Sequence, residues 1–265
     1  MNDRIPRMDR DLDFPQVANK IQGFIARQVR ERGVDGVVLG ISGGLDSSVV
    51  AKLAVQALDS SRVYGLILPD GNIFKQDVKD AELLAKCLKI KYRIINIGPL
   101  KKEALHVLPR NRLAQLNLVA RLRMCMVYYY ASLRKSIVLG TSDKSEVKLG
   151  YFTKYGDGAA DLLPIADLYK TQVRKLAQYL QIPAPILAKK SSPSLHRGQT
   201  AEGEIGVTYD VIDEILDRIE QHKASPGKQK SVDFSGLDRA SVERVLYLAG
   251  KNQHKSEMPP VCRID

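Results

Sequence analysis

Tryptophan is absent from this chain of 265 residues, and phenylalanine and tyrosine together supply only 6%. A surface that stacks nucleic-acid bases sets aromatics among basic residues, and that interleaving is missing. Cysteine is nearly as scarce: Cys87, Cys125 and Cys262 lie far apart and form no CxxC pair. That excludes a disulfide framework and a zinc site built on paired thiolates, and it fits a reducing compartment. No stretch approaches the roughly 20 apolar residues that a bilayer-crossing helix needs. Met1 to Asp13 is charged and lacks an apolar signal core, so a cytoplasmic protein with a flexible start at 1–13 is expected. Internal repeats and low-complexity tracts are also lacking, which leaves one unit over 1–265 as the expected organisation.

Charge, by contrast, is plentiful and one-sided. Lys and Arg number 41 against 30 Asp and Glu, a formal net charge of +11, so an anionic partner is expected. The basic residues are scattered, as at Lys101-Lys102, Arg121 and Arg123, and Lys189-Lys190. Scatter favours a small polyanion over a nucleic acid.

Apolar spacing predicts a leading helix over Phe14 to Arg30, ended by Gly33. Short β-branched runs follow at Val37-Val38-Leu39, Val63 to Leu68, Tyr92 to Ile97 and Ile137-Val138-Leu139. Helix-like segments alternate with them at Ser47 to Leu58, Gln76 to Leu88 and Arg112 to Leu133, the last burying Leu113, Leu116, Val119, Leu122 and Met126. Near-continuous apolar strands alternating with helices mean an α/β fold with an open, mostly parallel sheet covered on both faces. Ligands of such sheets bind beyond the carboxyl ends of the strands, after Gly40, Leu68 and Gly140. Gly150 to Ala166 is then a long loop apart from a short strand at Leu162-Leu163. Helices return at Tyr169 to Leu180, Val207 to Glu220 and Leu237 to Gly250, separated by breaks at Ser191 to Gly203 and Ala224 to Ser235.

The most informative stretch is Gly40-Ile41-Ser42-Gly43-Gly44-Leu45-Asp46-Ser47-Ser48, which joins the first strand to the first crossover helix. Adjacent glycines let the backbone approach an anion, the serines add hydroxyls, and a helix N-terminus offers unpaired N–H groups. It is neither a Walker A loop, which needs a lysine, nor GxGxxG. Asp46 beside phosphates is repulsive unless a cation intervenes, which suggests a magnesium ligand; the plainer alternative is a helix cap. The SGGxDS wording resembles the PP-loop of the ATP pyrophosphatase group, whose members split ATP between its α- and β-phosphates.

A second constellation narrows the group: Gly140-Thr141-Ser142-Asp143-Lys144-Ser145-Glu146, then Gly150-Tyr151-Phe152-Thr153-Lys154-Tyr155-Gly156-Asp157-Gly158 with Asp161. Leu168-Tyr169-Lys170-Thr171, Gly198-Gln199-Thr200, Glu204-Ile205-Gly206, Tyr209, Ile212-Asp213 and His254-Lys255 extend it. With the phosphate loop, this pattern resembles the ammonia-dependent NAD synthetases from about Gly36 to the end. The resemblance implies an adenine nucleotide α-hydrolase-like fold with helical C-terminal additions and a carbon–nitrogen ligase acting last in NAD biosynthesis. It amidates deamido-NAD with ammonia, through an acyl-adenylate, and releases AMP and pyrophosphate.

It also implies roles. Gly40, Ile41, Ser42, Gly43, Gly44, Leu45, Asp46, Ser47, Thr141, Lys170 and Ser192 would bind ATP, while Asp46 and Glu146 would hold Mg²⁺. Arg121, Lys154, Asp161, His254 and Lys255 would bind deamido-NAD. Asp157 would receive ammonium and take up its proton, a catalytic part shared with Asp46 and Lys170. The segment Ser191 to His196 departs from the family's wording around Ser192. Read alone, without the resemblance, Glu146 reads as a solvated loop acid, Arg121 as a snorkelling surface arginine and His254-Lys255 as a charged tail, with a turn aspartate the rival reading of Asp157. Lys170, a cation at a positive helix end, fits poorly as a bystander. A homodimer with deamido-NAD across its interface is implied, with no membrane and no nucleic acid as partner. The chain has no room for a glutaminase domain, so free ammonia is the expected donor. Rival readings are a PP-loop ligase acting on tRNA or a purine nucleotide, and a nucleotide-binding module without turnover.

Overall fold

Val37, Val38 and Leu39 have no solvent-exposed surface, and their side chains divide between two apolar clusters: Val37 and Leu39 on one side, Val38 on the other. A strand coated on both faces belongs at the centre of a parallel sheet. The computed structural model, which describes residues 12–71, 75–192, 198–224 and 231–264, places it there. Strands β1 (Gly36–Gly40), β2 (Val63–Ile67), β3 (Lys91–Ile94) and β4 (Ser136–Val138) form a parallel sheet in the order β3-β2-β1-β4. Val38 pairs with Tyr64 on one side and Val138 on the other. Of the 1–13 segment, only Leu12 and Asp13 lie within the described residues.

Helices α1 (Phe14–Glu31), α2 (Leu45–Leu58) and α3 (Lys75–Cys87) pack, with α7 (Lys170–Tyr179), into the larger cluster. α1 starts where Asp13 accepts a hydrogen bond from the Gln16 amide and Pro15 occupies the first turn, both start signals. The opposite face is covered by α5 (Arg112–Leu133) through Val119, Val127 and Ala131. A third cluster, centred on the fully buried Tyr209, joins α6 (Lys144–Leu149), α9 (Ala201–Ile205), α10 (Tyr209–Ala224) and α11 (Arg239–Asn252). Two further helices, α4 (Gly98–Val107) and the short α8 (Ala184–Leu187), complete the order.

Three expectations change. β3 is an edge strand with Lys91, Arg93 and Ile94 exposed, because it has a neighbour on one side only; the run to Ile97 survives as backbone pairing, with Ile95 N–H donating to Ile67 and Ile97 N–H to Pro69. Leu113 is 67% exposed rather than buried. α5 is apolar around much of its circumference, so spacing alone does not single out the face that meets the sheet. The strand at Leu162-Leu163 is a single bridge, Leu139 to Leu162.

Candidate active site

β1 hands over to α2 through the phosphate loop, whose conformation its own residues set. Gly43 has φ +76°, and a Cβ there would lie 2.2 Å from the Asp77 carbonyl oxygen, so α3 abuts the loop too closely for any side chain. Ser42 N–H donates to Ser47 Oγ at 3.2 Å, Gly44 N–H to Ser42 Oγ at 3.1 Å, and Ser48 Oγ to the Gly44 carbonyl at 2.6 Å. The Gly44 amide is thus engaged within the loop. The N-cap of α2 is Gly44, which makes no side-chain cap bond, and among the described residues this leaves first-turn amides available to an anion. Lys189 braces the loop from outside, its Nζ donating to the Gly43 carbonyl at 3.1 Å and pairing with Asp77 and Asp80.

Behind the loop lies an acid cluster around one ammonium. Lys170 Nζ, fully buried at the first turn of α7, is 2.8 Å from Asp46, 2.7 Å from Asp143 and 3.0 Å from Glu146. Asp143 and Glu146 cap α6 reciprocally: Glu146 N–H donates to Asp143 Oδ1 at 2.9 Å and Asp143 N–H to Glu146 Oε2 at 3.4 Å. One oxygen of each acid is spent on the helix and the other faces the lysine. Burial pulls the ammonium's proton affinity down, but Asp143, Asp46 and Glu146 together hold it well above the ordinary lysine range. Burial raises the Asp143 and Glu146 carboxyls, against the pull of Lys170.

A fourth acid positions this cluster from a distance. Asp213 on α10 accepts from Ser145 Oγ at 2.5 Å, from the Thr171 amide at 2.9 Å and from Thr171 Oγ1 at 2.8 Å, while Lys170 N–H donates to Ser145 Oγ at 2.9 Å. It ties the starts of α6 and α7 together. Burial pushes its carboxyl up to about 6 against those donors.

A cavity of about 480 Å³ opens at the carboxyl ends of the strands, where an open α/β sheet takes its ligand. Gly40, Ile41, Ser42, Ser47, Thr141, Glu146, Asp157, Ser192 and Lys255 line it. Ile41 does so while buried in the core. Gly43, Gly44, Leu45, Asp46 and Lys170 are not part of its lining, although Lys170 bridges Asp46 to Glu146 on the wall. Residues 193–196 of the divergent segment fall outside the described residues.

The other expected residues form a basic clasp on main-chain carbonyls. Arg121 donates to the Lys154 carbonyl at 3.3 Å, Lys154 Nζ to the His254 carbonyl at 2.5 Å, and Lys255 Nζ to the Gly150 and Phe152 carbonyls at 2.7 and 3.0 Å. The clasp joins the 150–158 loop to the segment after α11. Asp161 stands apart, accepting from the Val138 amide at 2.7 Å and from the Tyr128 hydroxyl at 3.5 Å. Asp157 accepts from the Thr153 amide at 2.9 Å. Its surface opens to the cavity but protein encloses it more widely, and this burial raises its carboxyl.

Sequence reasoning gave no role to Asp143, Asp213 or Arg123, although it quoted the first two within the family pattern. Asp143 carried a usable signal, since an Asp three residues before a Glu at a helix start reads as a capping box. The role of Asp213 carried no local signal beyond that pattern, because its contacts are 42 and 68 residues away in the chain. Arg123 shares α5 with Arg121 but points into the cavity.

This geometry accords with the comparisons. Residues 17–259 match the NAD synthase family. The NH(3)-dependent NAD(+) synthetase of Pyrococcus horikoshii is 44% identical over 252 residues, covering 94% of this chain and 95% of that protein. That of Hyperthermus butylicus is 43% identical over 253 residues, with 94% and 91% covered. Among solved structures, the NMN synthetase from Francisella tularensis superposes with a TM-score of 0.85 at 36% identity, covering 96% of this chain and 100% of that one. The NH3-dependent NAD synthetase from Campylobacter jejuni gives a TM-score of 0.80 at 31% identity, with 95% and 100% covered.

Proposed function

The chain belongs to the NAD synthase family, and from that premise we propose that it amidates deamido-NAD with ammonia and ATP, forming NAD, AMP and pyrophosphate. The observation that carries this reading is the shared cavity: the phosphate loop and Glu146, which Lys170 links to Asp46, meet one wall, and Asp157 meets the same space.

A carboxylate is a poor acyl donor because oxide is a poor leaving group. Its oxygen attacks the α-phosphorus of ATP, the bond to the β-phosphate breaks, and pyrophosphate departs. The uncapped amides of α2 and the Lys170 ammonium offset the charge that collects there. Ammonia then adds to the acyl-adenylate and AMP leaves. Only neutral ammonia is nucleophilic, so a carboxylate with raised proton affinity at Asp157 suits removal of a proton from ammonium.

The acid cluster fits magnesium by its donors. Asp46 Oδ1 is buried and accepts no hydrogen bond among the described residues, and three carboxylates face one ammonium. Asp46 and Glu146 would hold the ion, which prefers oxygen ligands. Bound there, magnesium supplies charge neutralisation to the phosphate chain. Arg121, Lys154, His254 and Lys255 form the basic surface for the dinucleotide acid, and Asp161 supports it by fixing the end of β4.

Two copies pair through apolar residues exposed on α4 and α5, where Val107, Tyr129 and Leu133 are 84%, 64% and 66% exposed. Arg121 is exposed on the same helix, which suits a substrate bound across the interface. The scattered basic residues and the exposed, unpaired described cysteines support a reading in which the protein works in the cytoplasm, as one unit over 1–265 and without nucleic-acid or membrane partners; separately, no described helix is long and apolar enough to cross a membrane.

The test is incubation with ATP, Mg²⁺, deamido-NAD and ammonium. NAD, AMP and pyrophosphate are expected in equal amounts; ADP, or turnover without the acid, overturns the reading. A second reading, amidation of the mononucleotide acid, is favoured by the likeness to the Francisella NMN synthetase. Competition between the two acids in that assay separates them.

A further inference from the structure

One cation on the cavity wall has no role in the arrangement so far. Arg123 of α5 lines the cavity, and its Nε donates to the Leu68 carbonyl at 3.1 Å, just beyond β2. That bond fixes the guanidinium plane. Its two terminal nitrogens make no hydrogen bond or ion pair among the described residues, and neither is sealed from solvent. The side chain is half-buried, and desolvation acts against its charge.

The acids close enough to act on it are Asp70, Asp157 and Asp77, and each has another partner. Asp70 pairs with Lys101 at 2.6 Å, Asp77 with Lys189 at 2.7 Å, and Asp157 accepts from the Thr153 amide. A desolvated guanidinium with two parallel donors free is matched by a planar, two-oxygen anion. Asp157, one of these acids, lines the same cavity and stands beside the site of amidation in the proposed mechanism.

We infer that Arg123 grips the carboxylate that is to be amidated and so distinguishes the acid substrate from its amide product. The inference rests on the proposed reaction and adds to it a residue that reads the reacting group. Amidation removes the negative charge and one acceptor oxygen, so the same contact that holds the substrate releases the product. Lysine at this position keeps the charge and loses the two-pronged fit.

The experiment compares deamido-NAD with NAD by calorimetric titration of the wild-type protein, Arg123→Lys and Arg123→Gln, with ATP affinity and melting temperature as controls. The wild type is expected to prefer the acid by about 10- to 100-fold, the usual effect of hydrogen bonds to a charged group. Arg123→Gln should lose that preference, with NAD and ATP affinities within about twofold of wild type. Arg123→Lys should keep part of it, and it decides the matter should the glutamine variant fail to fold. A wild type that binds both equally, a glutamine or lysine variant with the full preference, or a loss that falls on ATP overturns the inference. Wild-type NAD formation, followed separately, shows whether the reaction assignment stands when this inference fails.

Discussion

Lys170 is a cation without exposed surface at the first turn of α7, where the helix dipole opposes it. Its position is tolerable because Asp46, Asp143 and Glu146 surround the ammonium. Those acids depend on it equally. Removing one member of a buried charge cluster costs about 3–5 kcal/mol, since the remaining charges stay buried without compensation. Lys170→Met is therefore expected to lower the urea unfolding free energy by that amount, and millimolar Mg²⁺ to restore part of it. Unchanged stability without magnesium, or no recovery with it, would remove the acids from the metal-binding role. Asp213 adds a pH dependence of defined sign. Its folded carboxyl titrates at about 6, against about 3.9 in an unfolded chain. The folded state thus holds the proton more tightly, so this group's stabilising contribution is complete below about pH 4 and lost as pH rises through 6. The loss is on the order of 2–3 kcal/mol. Subtracting the unfolding free energy of Asp213→Asn from that of the wild type should give a curve that falls between pH 4 and 6; a flat difference would contradict the raised value.

At the scale of elements, the phosphate loop is where backbone geometry limits the sequence most tightly. Gly43→Ala asks alanine to adopt φ +76° and puts its Cβ 2.2 Å from the Asp77 carbonyl oxygen. Backbone strain of this kind costs about 1–3 kcal/mol, and relief requires the loop to move away from α3. The expected outcome is a lower melting temperature and a weakened shift on adding ATP; an unaltered ATP shift would mean that the loop does not hold the nucleotide. This loop was readable in advance because glycine pairs and a strand-to-helix junction are local features. So were β1, β2 and β4, whose apolar runs are short and bounded. α4 was not: it buries none of its residues, so it carries no periodic stripe to detect. The edge position of β3 follows from sheet order, which no single segment encodes. Asp46, Glu146 and Lys170 were named from the sequence, but their convergence on one nitrogen joins residues 124 and 24 positions apart. Local pattern therefore finds chemical groups more readily than it finds their partners.

For the whole molecule, the exposed apolar residues of α4 and α5 have the largest consequence. Tyr129 and Leu133 lie on a helix whose inner face already covers the sheet. A surface of this kind is ordinarily closed by another protein, and a second copy of the chain is the occupant proposed for it. Charged residues are depleted from the centres of such interfaces, so Leu133→Glu, a change at an exposed position, should leave the monomer folded and separate the pair. Sedimentation should then show a mass near 29.5 kDa, that of one chain, where the wild type shows twice that. Because Arg121 is exposed on the helix that carries Tyr129 and Leu133, and the proposed deamido-NAD site reaches the interface, the two substrates should respond differently. In the proposed arrangement ATP meets residues of one chain only, so its affinity should be retained in the separated form. Deamido-NAD affinity should fall by about tenfold or more, the effect of losing one or two charged contacts. A variant that separates while binding both substrates as the wild type does would place the whole dinucleotide site within one subunit and leave pairing with no part in catalysis.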